Sequence, residues 1–392
     1  MEDEAINFMK AWLKAIASIC YCYFIASKFP KGIFRFFSLL PIFYFFTILP
    51  LSVSRPIPSV ILGGFFTWIA NFKLLLYSFN LGPLSTNYPQ NSFLMFFFLA
   101  ALPIAVKDKN INSDVRSLTL ESDVPDIGIK DQNIDADVRS LTPESSNSAN
   151  IDQNINSDVS SLTRNTDIKN DSTKKVIPLN YGSKVIAFVI LEVVYNHLQS
   201  MVIYCCLMYL FIDVVFGACD LLVKSTLGVE LEPPSDEPYL STSLQDFWGK
   251  RWNRMISSGL RQTVYNPAKS IATKLVGRKW APLVGVMGCF IVSGLMHELV
   301  YYHMTRVRPT WEVTWFFVLH GFCVVLEMVV KRWLGQRWKL HWVLSGPLTV
   351  GFVMVTGFWL FFPQIMRNNV DKMATEDILG FGIYMKEIIN IG

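Results

Sequence analysis

The chain has 392 residues, of which 52% are hydrophobic and 17% charged, with a mean hydropathy of +0.34 and a net charge of +4. A soluble domain carries about 25% charged residues, and the apolar residues here stand in long runs, so the pattern argues against a soluble enzyme. Seven cysteines lie within apolar runs without C-x-x-C spacing, which argues against a disulfide framework and a zinc site. The charge is too unevenly spread to indicate a nucleic-acid partner.

The apolar runs predict membrane-spanning helices, each of which needs about 20 mostly apolar residues. The candidate spans are 6–26, 36–53, 57–79, 92–106, 184–217, 283–303, 313–330 and 342–363. The run 92–106 is short enough to be re-entrant. The run 184–217 fits two short helices or one tilted helix, and its polar middle, Asn196 to Ser200, favours a break. The sequence therefore predicts an all-α, polytopic membrane bundle of eight spans, with nine possible.

The segment 107–175 divides the chain into N-terminal transmembrane helices (1–106) and a C-terminal transmembrane region (176–392). It lacks Phe, Trp, Tyr and Cys and is rich in Asp, Asn and Ser. KDKNINSDVRSLT at its start recurs as KDQNIDADVRSLT and again as IDQNINSDVSSLT. Each repeat offers too few apolar side chains to stack a core, so we expect a disordered insert and not a solenoid.

The stretch 224–282 carries nine Lys or Arg residues, so the positive-inside rule predicts that it faces the cytosol. Within it, 267–280 (PAKSIATKLVGRKW) fits a helix lying on the bilayer surface. The side of the insert depends on the run 184–217. A single crossing, which we slightly favour, makes the insert lumenal and its sequon at Asn170 available for glycosylation; two crossings make it cytosolic.

His297 is the sharpest candidate for chemistry, because thirteen largely apolar residues precede it in VGVMGCFIVSGLMHELVYYH (284–303). Ionisable groups inside spans are costly and usually functional. A desolvated imidazole is expected to be neutral and able to accept a proton from an alcohol. A structural histidine hydrogen-bonded between helices fits this single feature equally well.

A zinc protease motif is not present at His297 and Glu298. The second His of H-E-x-x-H is missing, because residue 301 is Tyr. His303 lies roughly 240° around a helix from His297, so the two cannot share a metal from one helix face. The sequence predicts no metal site.

A second constellation opens the basic stretch in EPPSDEPYLSTSLQDFWGKRWN (232–253). Ser243 and Asp246 fit a capping box and a helix start. The aromatic and basic residues of FWGKRWN suit a membrane interface. The functional alternative is that Asn253 and the basic residues face a CoA ester. The residues expected to contact substrate on that alternative are Trp248, Arg251 and Trp252, with His320 as a weaker candidate within its span.

The pair FWGKRWN and SGLMHEL, 44 residues apart from Asn253 to His297, resembles the plant wax synthase family, a branch of the membrane-bound O-acyltransferases. FFTWIANFKLLLYSFNLGPLS (65–85) matches the same pattern more weakly. The resemblance implies a helical membrane fold with an interior reaction chamber. It implies a catalytic His, which falls on His297, and a partner Asn, which falls on Asn253. The repeated insert departs from the family pattern.

The resemblance implies transfer of an acyl group from acyl-CoA, a co-substrate, to a long-chain alcohol, which forms a wax ester. It implies no cofactor, membrane lipids as surroundings and a location in the endoplasmic reticulum. A sterol or diacylglycerol acceptor is the alternative within the class. A polytopic transporter is the alternative outside it, although no inverted repeat of hydrophobic segments is visible.

Overall fold

The computed structural model describes residues 2–85, 93–106, 180–334 and 341–391. Within these ranges the chain is helical, apart from one isolated antiparallel bridge between Val106 and Leu231. Residues 1–107 and 179–392 cluster as one compact unit. The repeated insert and its sequon at Asn170 lie outside the described residues.

The described ranges contain fifteen α-helices and four π-helical segments. The α-helices are α1 (Glu2–Phe24), α2 (Ile33–Ile48), α3 (Pro56–Leu62), α4 (Asn71–Ser78), α5 (Phe93–Ala101), α6 (Tyr181–Leu198), α7 (Met201–Leu227), α8 (Leu244–Asp246), α9 (Arg254–Leu260), α10 (Asn266–Val276), α11 (Ala281–Thr305), α12 (Glu312–Leu334), α13 (Trp342–Thr356), α14 (Pro363–Arg367) and α15 (Val370–Ile391). The π-helical segments are Gly63–Ala70, Phe247–Arg251, Arg261–Tyr265 and Gly357–Phe361.

Seven described stretches are long and apolar enough to cross a membrane, which makes the chain an integral, multi-pass membrane protein. They are Asp3–Lys28, Ile33–Ser52, Pro56–Ser78, Met201–Leu227, Ala281–Thr305, Glu312–Leu334 and Trp342–Phe361. The sequence predicted eight spans. The difference arises at α5, which is only nine residues long, and at α6, whose 18 residues include Lys184, Glu192, Asn196 and His197.

The run 184–217 forms two helices, so our preference for a single crossing is wrong. Helix α6 ends at Leu198, and Gln199 takes a left-handed conformation at its C-cap before α7 begins. The two helices pack antiparallel. The Tyr181 hydroxyl donates to the Val214 carbonyl at 3.1 Å, and the rings of Tyr195 and Tyr204 lie 5.4 Å apart at the other end. The polar middle of the run therefore marks a helical hairpin.

Helices α11 and α12 approach closely at two glycines. A Cβ on Gly294 would lie 3.0 Å from the Thr314 Cα, and one on Gly321 would lie 2.8 Å from the Phe290 Cβ. A side chain at either position would push the helices apart, because packed interiors leave no room for another carbon. This close contact brings the face of α11 that carries His297 against α12.

The predicted surface helix is present as α10, with bounds Asn266–Val276. Ile271 is 62% exposed and Leu275 79% exposed, while Lys269 and Lys274 stand on the same helix. An apolar side that no protein group covers, beside basic residues, is typical of a helix lying in the lipid headgroup region.

Candidate active site

His297 lies on α11, and its protonation pattern is set by its own helix. Its Nδ1 is 2.8 Å from the carbonyl oxygen of Ser293, one turn earlier. A carbonyl oxygen can only accept, so Nδ1 carries the hydrogen and donates it. Nε2 of the neutral ring therefore carries the lone pair, and it has no hydrogen-bond partner among the described residues. His297 is thus held in the tautomer that a general base requires.

Aromatic rings surround the imidazole of His297. Phe317 of α12 stacks on it, with centroids 4.3 Å apart and an interplanar angle of 28°. Trp68 meets it edge to face at 5.0 Å and 86°, and Phe361 meets it at 5.6 Å and 68°. Rings on three sides exclude water from the imidazole, which strengthens electrostatic interactions there.

The site lies between two hydrophobic clusters. Phe317 belongs to a cluster formed mainly by α11, α12 and the chain around α14. Trp68 stands on the segment Gly63–Ala70, whose Phe66 and Ile69 belong to the cluster of the N-terminal helices. The imidazole of His297 is therefore enclosed by residues distant in the sequence, and neither half of the chain forms its surroundings alone.

Three of the four described π-helical segments contribute to this region. Gly63–Ala70 carries Trp68, Gly357–Phe361 carries Phe361, and Phe247–Arg251 carries Trp248, whose ring lies 5.7 Å from that of Phe317. A π-helical turn shifts side chains out of the α-helical register, and such turns are frequent at functional sites. Their clustering around His297 supports a functional assignment over that of a packing histidine.

His320 is completely buried and hydrogen-bonded through both ring nitrogens. The indole nitrogen of Trp248 donates to Nδ1 at 3.0 Å, so the hydrogen of His320 is on Nε2. Nε2–H donates to Thr356 Oγ1 at 2.9 Å, and the threonine hydroxyl donates to the Phe352 carbonyl at 2.7 Å. Substrate contact by His320 stays a prediction, but these bonds give its ring a different use: they hold Trp248 beside Phe317.

Asn253 begins helix α9 and caps it. Its Oδ1 accepts a hydrogen bond from the Ile256 backbone N–H at 3.0 Å. No hydrogen bond joins Asn253 to His297 among the described residues. The connection between them runs through rings, since Trp252 next to Asn253 lies 6.1 Å from Trp248. The pairing of Asn253 with His297 stays a prediction, and its side-chain carbonyl already has a structural partner.

A small cavity of about 220 Å³ adjoins Asn253 and Trp252. On its other side stands the carboxylate of Asp213, which is 4% exposed, pairs with Lys184 and accepts from the Ser235 hydroxyl at 2.6 Å. Buried charges are retained where they are paired and hydrogen-bonded in this way. The hairpin of α6 and α7 is thereby tied to the loop that precedes the FWGKRWN motif.

No group of three or more His, Cys, Asp or Glu side chains in the described part of the chain could hold a metal ion. His303 lies apart from His297. It is 1% exposed and packs against Gly63, where an added Cβ would lie 3.3 Å from its Nδ1. Glu298 turns to α12 and accepts from the Thr314 backbone and hydroxyl at 3.3 Å each.

Residues 231–319, which include both Asn253 and His297, match the model of the membrane bound O-acyl transferase family. Along its whole length the chain is 36% identical to a long-chain-alcohol O-fatty-acyltransferase of Simmondsia chinensis, of which the match covers 99%. The chain belongs to the plant wax synthase branch of this family. It is an acyltransferase.

Two further plant relatives are similar over nearly their full length. A probable long-chain-alcohol O-fatty-acyltransferase 3 of Arabidopsis thaliana is 36% identical, with 97% of this chain and 95% of the relative covered. An acyl-CoA–sterol O-acyltransferase 1 of the same species is 32% identical, with 97% of each chain covered. The wax synthase branch thus includes similar chains named for different acceptors.

The other residues of the wax synthase motif FWGKRWN have local partners. The Arg251 Nε donates to Asp246 at 2.8 Å, and its Nη1 donates to the Asp236 carbonyl at 3.0 Å. Trp252 stacks on Phe247 with centroids 5.3 Å apart. The predicted capping box is confirmed, because Ser243 Oγ accepts from the Asp246 N–H at 3.1 Å. Contact of Arg251, Trp248 and Trp252 with substrate stays a prediction.

Sequence reasoning missed the three rings that touch His297, from Trp68, Phe317 and Phe361. One signal was available for Trp68, which stands in FFTWIANF, part of the N-terminal stretch similar to the wax synthases. Phe317 and Phe361 gave no signal, because aromatic residues in an apolar run are ordinary lipid-facing or core residues.

Proposed function

We propose that this acyltransferase moves a fatty acyl group from acyl-CoA to a long-chain alcohol and so forms a wax ester. The long-chain-alcohol acceptor is the one named for the relatives from Simmondsia chinensis and Arabidopsis thaliana. Acyl-CoA serves as co-substrate, and no cofactor is needed for direct acyl transfer. The reaction takes place in the membrane of the endoplasmic reticulum, where the cytosolic stretch 224–282 meets the soluble acyl donor.

The single observation that carries this proposal is the hydrogen bond from His297 Nδ1 to the Ser293 carbonyl. It leaves the lone pair on Nε2 and fixes the ring, so the imidazole is ready to accept a proton. The alcohol oxygen attacks the thioester carbonyl carbon as Nε2 takes the hydroxyl proton. The tetrahedral intermediate then collapses, the C–S bond breaks, and the CoA thiolate recovers the proton from His297.

Asn253 acts in this scheme through its amide NH₂ group, since its Oδ1 caps helix α9. The amide either donates to developing charge or positions a substrate group beside Trp252. No covalent acyl-enzyme is required, because the alcohol attacks the thioester directly.

A sterol acceptor is the second candidate, because a relative named as an acyl-CoA–sterol O-acyltransferase is 32% identical over 97% of this chain. Membranes that contain the protein decide between acceptors when they receive labelled acyl-CoA with a mixture of hexadecanol, a sterol and diacylglycerol. We expect label in wax ester. Label only in steryl ester or triacylglycerol would replace the acceptor and leave acyl transfer intact.

The test of the mechanism is His297→Ala. Alanine cannot accept the hydroxyl proton, so ester formation should fall by about 10² to 10⁴. The rate is measured per amount of detergent-stable protein, which separates chemistry from folding. His341→Ala is the matched control, because His341 is exposed and touches no ring around His297. Near-normal specific activity of His297→Ala would refute the mechanism.

A further inference from the structure

The indole N–H of Trp68 is buried without a hydrogen-bond acceptor among the described residues. The Trp68 side chain is 6% exposed, on the π-helical segment Gly63–Ala70. An indole nitrogen is a donor only. Leaving a buried donor unpaired costs about 1–3 kcal/mol, so such a group in a native protein requires an explanation, for which an absent ligand or a catalytic role are the usual ones.

The position of Trp68 indicates which explanation applies. Its ring meets the imidazole of His297 edge to face, with centroids 5.0 Å apart and an interplanar angle of 86°. The indole on the other side of Phe317 is different, because Trp248 donates its N–H to His320 at 3.0 Å. Of these two buried tryptophans, the one that touches His297 keeps its donor unused.

We propose that the Trp68 Nε1–H is an oxyanion donor in acyl transfer. The inference rests on the proposed function, in which His297 is the base. When the alcohol oxygen bonds to the thioester carbon, the π electrons of the C=O bond move to its oxygen, which becomes negative. Trp68 donates a hydrogen bond to that oxygen. The electrons return when the C–S bond breaks and the CoA thiolate leaves.

The placement suits this role physically. An oxyanion donor works best when it is preorganised and shielded from water, because a low local dielectric strengthens its interaction with the new charge. Trp68 is fixed by its burial and by its contact with Phe72, at 6.5 Å between ring centroids. Its N–H forms no competing bond in the described residues that would have to break during the reaction.

The test compares two substitutions that separate the donor from the bulk of the ring. Trp68→Phe keeps an aromatic ring and removes the N–H. Trp68→His keeps a ring N–H, at Nε2, the position in the five-membered ring that Nε1 occupies in indole, and loses bulk. We expect Trp68→Phe to lower kcat by about 10²-fold, with little change in KM for acyl-CoA or alcohol. Trp68→His should retain more kcat than Trp68→Phe.

Trp12→Phe is the matched control, because Trp12 contacts Phe65 and Phe66 of the same π-helical segment and does not touch His297. It should keep normal kcat. If Trp68→Phe does not yield detergent-stable protein, Trp68→His is compared with Trp68→Leu, and equal kcat values overturn the proposal.

Three results overturn the role of Trp68 while an inactive His297→Ala keeps the proposed function. The first is normal kcat in Trp68→Phe. The second is a rise only in KM for the alcohol, which would make Trp68 a residue that positions the acceptor. The third is a loss of stable protein at an unchanged rate per folded molecule. Full activity in both His297→Ala and Trp68→Phe would overturn the proposed function as well.

Discussion

Two histidines on neighbouring helices are held in opposite tautomers, and their partners explain why. His297 faces a carbonyl oxygen, which accepts, so the hydrogen is on Nδ1. His320 faces the indole N–H of Trp248, which donates, so the hydrogen is on Nε2. Only His297 keeps a lone pair without a partner among the described residues. The chemistry at each residue is therefore decided by one neighbouring atom and not by residue type.

Asn253 is tested by separating its cap from its amide group. Asn253→Asp keeps an oxygen that can accept from the Ile256 N–H and removes the NH₂ donor, while Asn253→Ala removes both. We expect both variants to lose about 10² in kcat, because neither can donate to substrate. Asn253→Ala should in addition lose about 1 kcal/mol of stability with its helix cap.

The measurements for Asn253 are kcat and thermal stability in detergent. Ser243→Ala, which removes the cap of α8, serves as the control for lost capping alone. An Asn253→Asp variant with normal kcat would show that the residue acts only as a cap.

The hydrogen bond between Trp248 and His320 is expected to support structure. Trp248→Phe leaves Nδ1 of the buried His320 unpaired, which costs about 1–3 kcal/mol. We therefore expect a lower Tm in detergent and a smaller loss of kcat than in His297→Ala. A large increase in KM for acyl-CoA at unchanged Tm would instead support the predicted substrate contact at Trp248.

At the scale of elements, the hairpin of α6 and α7 fixes how the chain crosses the membrane. The antiparallel contacts place the start of α6 and the end of α7 on one side, and the turn at Gln199 on the other. Helix α6 has 18 residues, so at 1.5 Å per residue it is about 27 Å long, close to the roughly 30 Å of a bilayer core.

Cysteine labelling tests this topology in a variant whose seven native cysteines are replaced. Asn180→Cys and Ser225→Cys should react with a membrane-impermeant maleimide from the same side. His197→Cys should react from the opposite side. All three positions are exposed. Labelling of positions 180 and 225 from opposite sides would contradict the hairpin.

At the scale of the whole molecule, the residues assigned to the site come from the two flanks of the repeated segment 107–175. Trp68 precedes it, whereas Asn253 and His297 follow it. Replacing 107–175 by a short flexible linker should leave most activity intact, because the cost of closing a loop changes only slowly with its length. Ester formation is measured per amount of membrane-inserted protein. Loss of activity in a variant that inserts normally would contradict this expectation.

The sequence by itself determined the class of protein and the candidate base. Long apolar runs can be buried only by a bilayer, so the membrane class follows from local composition, and the break near Gln199 follows from its polar neighbours. The capping box at Ser243 is equally local, since its bond spans three residues. The mid-span position of His297 and the FWGKRWN motif led to the correct family.

The tertiary structure decided what depends on residues distant in sequence. Whether 184–217 crosses once or twice was settled by contacts between α6 and α7, which hydropathy does not contain. The aromatic surroundings of His297 come from Trp68, Phe317 and Phe361, which three separate segments bring together. An unused N–H at Trp68 is likewise a property of packing. Periodicity reports which face of a helix is apolar, and only the packed fold determines which atoms meet there.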